Sequence, residues 1–270
     1  MDTAIRRVCI TALLHIRTTL SHTNPIHSIA THPNVEFVVI VNPNSGPYAE
    51  YPNSAPGRLS LPGHDYCREI PKLNIFKNVT IIGYVRIDYC KKPLSEVFAE
   101  IETYAAWSRE PGLAIEGIFV DETPNHYSAG KVGFLEAIKH GIRSGLTGLA
   151  GTSLVSLSSL PLDQATKSKQ IMHNPGTPPD APLAHTADVI VTCEEPFQRY
   201  QCGDVRAHYT RFNYAQAMSA CQISATPRDE IPALTQNLRR IYAYIFVTDL
   251  VDNFYESFGS GLKEFVFALE

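Results

Sequence analysis

No Cys-x-x-Cys pair occurs in the 270 residues, and the six cysteines, Cys9, Cys67, Cys90, Cys193, Cys202 and Cys221, are scattered along the chain. That spacing supplies neither a zinc ligand set nor a dense disulfide framework, so buried free thiols are expected. No run of 18 apolar residues is present, which argues against a spanning helix. No Gly-x-Gly-x-x-Gly follows the first clear strand, and a dinucleotide fold loses its main support. Gly-x-Ser-x-Gly and His-Glu-x-x-His are missing as well, which counts against serine-hydrolase and zinc-hydrolase chemistry. His22, His27 and His32 stand five apart, a spacing that gathers neighbours on one face of neither a helix nor a strand. No metal and no cofactor is expected. Basic residues are also few: 23 Lys and Arg against 27 Asp and Glu leave a net charge of −4, which offers no field for a phosphate backbone and makes nucleic acid a poor partner.

Arg6 and Arg7 followed by the apolar run Val8 to Ile16 imitate the start of a signal peptide, but Thr11 and His15 interrupt the run and no clear small-x-small cleavage site follows. On that reading the chain as written is intracellular. What is plentiful is the alternation of short β-branched or aromatic runs with helix-like segments, the pattern of parallel βα units. The runs are Val35 to Val41, Val79 to Val85, Ile115 to Val120, Gln170 to His173, Val189 to Cys193, Ala217 to Ile223 and Tyr242 to Val247. An eighth strand would have to come from Val8 to Ile16. Between the runs, Val97, Phe98, Ile101, Tyr104 and Ala105 line a helix entered at Pro93 and Ser95. Thr226 as cap and Pro227 at the first position predict another helix through Ile231, Leu234 and Leu238. Phe254, Phe258, Leu262, Phe265 and Leu269 predict a closing amphipathic helix, and Pro71 should kink or shorten a helix around Tyr66, Ile70 and Leu73. Ser21 to Pro33 and Gly145 to Leu162 read as loops or insertions. The count favours an α/β fold of the (β/α)8 TIM type with an irregular first strand, a size that one barrel can fill.

In such a barrel the reacting groups project from the C-terminal strand ends. That rule collects Asn42, Asn44, Tyr84, Arg86, Asp121, Glu122, Asn174, Glu194, Glu195, Thr248 and Asp249 around one rim, with Tyr89, Tyr127 and Phe197 as nearby aromatics. Asp121 and Glu194 come from different strands and can face each other across a cleft, as glycosidic cleavage by two carboxylates requires. Glu122 can reach the same site only if the backbone turns after Asp121. An acidic pair after a strand can also simply cap a helix or face water.

The strings VIVNPNSGP (Val39 to Pro47), IIGYVRIDY (Ile81 to Tyr89), IETYAAW (Ile101 to Trp107), GIFVDETP (Gly117 to Pro124), NPGTPPD (Asn174 to Asp180), ADVIVTCEEPF (Ala187 to Phe197) and YIFVTDL (Tyr244 to Leu250) occur in order. Together they resemble the spherulin-four (spherulation-specific) family. The resemblance implies a (β/α)8 barrel over residues 35–270, with 1–34 a divergent segment that supplies the first strand and an insertion at 145–169. It also implies a glycosidase acting internally on a galactosamine-containing polysaccharide, with secreted or cell-surface relatives. The family's acidic pair matches Asp121 and Glu122, and its later glutamate matches Glu194 rather than Glu195. The chemistry then assigns Asp121 as nucleophile or cation stabiliser, Glu194 as general acid/base and Glu122 as support, with retention of configuration. Asn42, Asn44, Tyr84, Arg86, Tyr127, Asn174 and Asp249 are expected to hold the substrate. A monomer is expected. The alternative is a carbohydrate-binding protein on the same barrel that has lost turnover.

Overall fold

The structure is a computed structural model that describes residues 6–10, 25–47, 62–145, 169–212, 214–252, 254 and 257–270. His22, residues 11–16 of the expected first strand and residues 146–168 of the expected insertion lie outside the described residues. Among the described residues eight strands alternate with helices: β1 (Arg6–Ile10), α1 (Pro25–Thr31), β2 (Val35–Val41), α2 (His64–Asn74), β3 (Val79–Arg86), α3 (Leu94–Trp107), β4 (Gly117–Asp121), α4 (Ala129–Gly145), β5 (Gln170–Asn174), α5 (Ala181–Ala184), β6 (Val189–Pro196), α6 (Phe197–Tyr200), α7 (Gly203–Thr210), β7 (Ser219–Ser224), α8 (Ile231–Leu238), β8 (Tyr244–Val247) and α9 (Leu262–Phe267). The strands form one sheet in sequence order, and every pairing is parallel.

The sheet curls. The Gln170 side-chain amide on β5 donates to the Tyr244 hydroxyl on β8 at 3.0 Å, although these strands are three places apart and would lie about 14 Å from each other in a flat sheet. Alternation along the strands divides the core accordingly. Val38, Ile40, Ile82, Tyr84, Phe119, Met172 and Val191 pack together inside the curl. Phe37, Val39, Ile81, Val85, Ile118, Val120 and Ile171 turn outward and pack with helix residues such as Ile101, Leu135 and Ile138. Burial on both faces explains why these strands read as nearly unbroken apolar runs.

One buried side chain ties two strand ends together. The Tyr104 hydroxyl on α3 accepts from the Tyr84 N–H at 3.1 Å and lies 3.0 Å from the Val41 carbonyl and 3.1 Å from that of Tyr84. Its ring lies over Gly83, where an added Cβ would come within 2.7 Å of it.

Four elements differ from the sequence reading. Ser21 to Pro33, expected as a loop, contains α1, which starts on Pro25 and buries Ile29; Thr31 Oγ1 donates to the His27 carbonyl at 2.8 Å, and His32 Nδ1 lies 2.8 Å from that of Ser28, so side chains cover last-turn carbonyls. Pro71 does not break α2, which runs to Asn74; the missing N–H costs one bond only a turn from the end. The helix expected from Pro227 begins at Ile231, with Pro232 in its first turn. Thr226 does not cap it: its N–H donates to the Thr248 carbonyl at 2.9 Å and ties the loop after β7 to the end of β8. The closing helix is limited to Leu262–Phe267, and Phe254 and Phe258 pack on the core ahead of it. The chain passes too close to Asp249 for a side chain at Gly259, whose Cβ would fall 1.9 Å from Asp249 Oδ1.

Candidate active site

Asp121 and Asn174 end adjacent strands in direct register, and Arg86 pairs with Asp121 on the other side. Tyr84 lies two residues before Arg86 and so shares its face. β6 needs a correction to join them. Strict alternation from the inward Val191 would turn Glu195 inward and Glu194 out, but the register shifts between Val191 and Cys193. This bulge places Cys193 in the outer core and swings Glu194 to the inner face.

The result is a continuous hydrogen-bonded chain. The Tyr84 hydroxyl donates to Asp121 Oδ2 at 2.5 Å. The Asn174 side-chain nitrogen donates to Asp121 Oδ1 and to Glu194 Oε2, each at 2.9 Å, so one amide bridges the two carboxylates. Asn174 is held in turn, because its Oδ1 accepts from the Gly176 N–H at 3.0 Å. Burial pushes the Glu194 carboxyl from 4.5 up to about 7; the Asn174 bond opposes this, and the charges of Asp121 and Glu195 add to it. The Tyr84 phenol is pushed up by burial first and then by the Asp121 carboxylate, which keeps it a donor.

Glu122 reaches this neighbourhood through the backbone turn that the sequence required. Its φ is 53°, in the left-handed region that side-chain-bearing residues seldom adopt. Its N–H donates to Asp121 Oδ1 at 2.8 Å, its carbonyl accepts from the Tyr89 N–H at 2.8 Å, and its carboxylate lies 3.5 Å from the Arg86 guanidinium. Asp88, Tyr89 and Cys90 opposite are left-handed too, at φ 45°, 52° and 71°. Four strained residues on two facing loops mark this as a built feature of the rim.

The other expected residues divide. Asn42 is buried, and its Oδ1 accepts from the Gly46 N–H at 2.9 Å, closing the turn after β2; Asn44 is exposed on that turn. Tyr127 is 55% exposed, with its N–H anchored to Asp180 Oδ2 at 2.7 Å. Asp249 is engaged within the fold: Oδ2 accepts from Ser260 Oγ at 2.6 Å and Oδ1 from the Gly261 N–H at 3.2 Å. Thr248 accepts from the Leu250 N–H at 3.2 Å, and Phe197 packs on the core. Tyr89 is exposed on its left-handed turn.

Sequence reasoning did not find the partners of Glu195. The Tyr209 hydroxyl donates to Glu195 Oε1 at 2.6 Å, and the Arg199 guanidinium lies 3.6 Å from Oε2. Together with Gly176, Thr177, Asp204 and His208 they line a cleft of about 620 Å³. Arg199, Asp204, His208 and Tyr209 come from two short helices with little apolar period, so no pattern announced them. Among the described residues no three His, Cys, Asp or Glu side chains are grouped to hold a metal ion, and no helix is long and apolar enough to cross a membrane.

The profile of spherulation-specific family 4 matches residues 21–269. The chain belongs to this family. A curated relative, spherulin-4 of Physarum polycephalum, is 33% identical over 115 residues, which is 43% of this chain. The match spans 30% of that relative's length. Among solved structures, Aspergillus clavatus Sph3 in complex with GalNAc is 29% identical with a TM-score of 0.80, over 100% of this chain and 99% of that one.

Proposed function

We propose that this member of spherulation-specific family 4 is a glycoside hydrolase that cleaves a polysaccharide containing N-acetylgalactosamine, internally and with retention of configuration. The single observation that carries the reading is the Asn174 amide held between Asp121 and Glu194. Two bonds of 2.9 Å from one nitrogen keep the two bridged oxygens, the nearest of the pair, within about 5.8 Å of each other, which favours the closer of the two carboxyl spacings that glycosidases use. Retaining glycosidases hold their carboxyl groups about 5–5.5 Å apart, whereas inverting ones need about 6.5–9.5 Å to admit a water. The substrate class rests on the similarity to Sph3, which was crystallised with GalNAc.

Each group then has a role that its surroundings suit. Glu194, with a pKa raised to about 7, is protonated often enough at neutral pH to donate to the leaving oxygen. Asp121 attacks the anomeric carbon, forming a glycosyl-enzyme ester as the C–O bond to the leaving sugar breaks. Glu194, now a carboxylate, takes a proton from water, which displaces Asp121 and releases the sugar. Tyr84 and Asn174 fix the Asp121 carboxylate through both of its oxygens, and Glu122 with Arg86 supports the same corner. The fold belongs to the proposal as well: β1, from residues 1–34, closes the curled sheet as a (β/α)8 barrel with residues 35–270, and 145–169 is an insertion. The protein acts as a monomer.

The test is release of reducing ends from a galactosamine-rich polysaccharide. Asp121→Asn and Glu194→Gln should each lower turnover by about 10²–10⁴-fold or more while leaving polymer retention nearly intact. Retention without release by the unmodified protein would favour the binding-protein alternative. Wild-type turnover in either variant would remove that residue from the mechanism.

A further inference from the structure

Asn174 is held by a turn that serves both carboxylates at once. The segment Asn174 to Asp180 reads NPGTPPD, and Pro175, Pro178 and Pro179 fix φ at three of its seven positions. On one side it is tied to the loop after β4: the Thr123 N–H donates to the Asn174 carbonyl at 3.1 Å, and the Asp180 N–H to the Asn125 carbonyl at 2.8 Å. On the other side it is tied to β6. The ladder between β5 and β6 ends at the pair His173–Ile190, ahead of the bulge, and Glu194 instead donates its N–H to the Gly176 carbonyl at 3.2 Å. The Gly176 N–H donates to Asn174 Oδ1 at 3.0 Å, which leaves the amide nitrogen to face Asp121 and Glu194. Peptide units are rigid planes, so φ and ψ at Gly176 set the angle between the bond that orients the bridging amide and the bond that seats the backbone of the acid.

Resting on the glycosidase reading above, we infer that Gly176 is a positioning residue, whose left-handed turn holds the Asn174 amide and the Glu194 backbone in one geometry and so sets the acid against the nucleophile. Its φ is 68°, a region that glycine enters freely and β-branched residues avoid. Nothing lies within 4 Å of where a Cβ would stand, so space does not exclude a side chain; the conformation alone calls for glycine. The chemical consequence runs through Asn174. An N–H donated to a carboxylate favours its charged form, and at Glu194 the Asn174 bond opposes the effect of burial. A turn rotated away from this φ takes the Oδ1 anchor from Asn174, slackens the bond to Glu194 and keeps the acid protonated to higher pH.

Gly176→Val and Gly176→Asn separate conformation from bulk, because the two side chains are similar in size but asparagine tolerates the left-handed region and valine does not. Glu194 is followed in the full chain without substrate, by carbon-13 NMR of labelled glutamate carboxyls, its signal being the one lost in Glu194→Gln. Gly176→Val should raise the Glu194 midpoint by about half a pH unit or more, and Gly176→Asn should leave it within about 0.2. Asn174→Ala should raise it at least as far, and adding Gly176→Val to Asn174→Ala should move it no further, since both act through one amide. A merely structural glycine would lower the melting temperature and leave the midpoint in place. An unmoved midpoint in Gly176→Val, equal movement in Gly176→Val and Gly176→Asn, or additive movement in the double variant overturns the inference. If the valine chain does not fold, Gly176→Ala imposes a milder form of the same strain and is read in the same way. On a galactosamine-rich polysaccharide the basic limb of the kcat/KM profile should move up with the midpoint in Gly176→Val, with turnover about tenfold lower at the optimum. Where the unmodified chain cleaves, an unmoved limb overturns the positioning role. Absence of any cleavage by the unmodified chain refutes the hydrolase reading instead, and the NMR titration still decides whether Gly176 sets the acid.

Discussion

An acid that remains protonated near neutral pH weakens the fold that holds it, and this can be measured without any substrate. The Glu194 carboxyl is raised from 4.5 to about 7, chiefly by burial. In the unfolded chain it titrates near its ordinary value, so between the two pKa values the native state binds more protons than the unfolded one. The stabilisation from the neutral group is therefore fully present below pH 4.5 and is lost as the pH rises through 7. The whole displacement corresponds to roughly 3 kcal/mol, a large share of the stability of a typical domain. Glu194→Gln removes the titration but keeps a carbonyl oxygen that can still accept from Asn174. Chemical denaturation at pH 4.5, 6 and 8 should show the variant gaining on the unmodified protein as the pH rises, ending more stable at pH 8 by up to about 3 kcal/mol. The comparison isolates this residue, because every other titrating group is common to both proteins. Parallel stability curves would refute the reasoning and leave Glu194 without a raised pKa.

Two further predictions concern the scaffold around the site. Tyr104→Phe strips the buried hydroxyl that faces the Tyr84 N–H and two strand-end carbonyls; it should cost about 1–3 kcal/mol and lower the melting temperature by several degrees in a thermal scan. Asp249→Ala should destabilise by about 1–2 kcal/mol in denaturant titrations yet leave oligosaccharide affinity within twofold, since both of its oxygens are occupied by Ser260 and Gly261.

Much of this arrangement was legible, for a definite reason. Strand alternation fixes faces, so Asn42, Tyr84, Arg86, Asp121 and Asn174 could be collected from the last residues of each apolar run. What alternation cannot convey is a defect in itself. The β6 bulge reverses the parity of Glu194 and Glu195, and only the family resemblance, not the spacing, favoured Glu194. The bridging role of Asn174 depends on two neighbours 53 and 20 residues away, a relation that no local pattern encodes. Asp249 is held by contacts that alternation does not convey either. It lies two residues beyond the end of β8, and Gly259 and Gly261 pass so close that its carboxylate serves the turn before α9. The cleft by Tyr209 and His208 was illegible because Arg199, Asp204 and His208 stand on the exposed sides of short helices that carry too few apolar residues to show a period.

The left-handed backbone at Glu122 permits a sharper separation of function from folding. A residue with a Cβ in that conformation costs about 1–2 kcal/mol, which glycine avoids, although glycine also frees the unfolded chain by roughly 0.5–1 kcal/mol. The half-exposed ion pair with Arg86 is worth about 0–1 kcal/mol. Glu122→Gly should therefore leave stability within about 1 kcal/mol of the unmodified protein. The two backbone bonds, to Asp121 Oδ1 and from Tyr89, can persist in the variant, so only the carboxylate is lost. Glu122→Ala loses the same carboxylate but keeps the strain, and should be less stable than the glycine variant by about 1 kcal/mol, the reverse of the order seen inside helices and strands. Both should turn over a galactosamine polysaccharide at least about tenfold more slowly if the carboxylate supports Asp121 through the charge it places beside Arg86. Denaturant titration and reducing-end release on the three proteins decide both points. An alanine variant as stable as the glycine one would refute the strain, and full turnover in the glycine variant would show that Glu122 is held at the rim for its backbone alone.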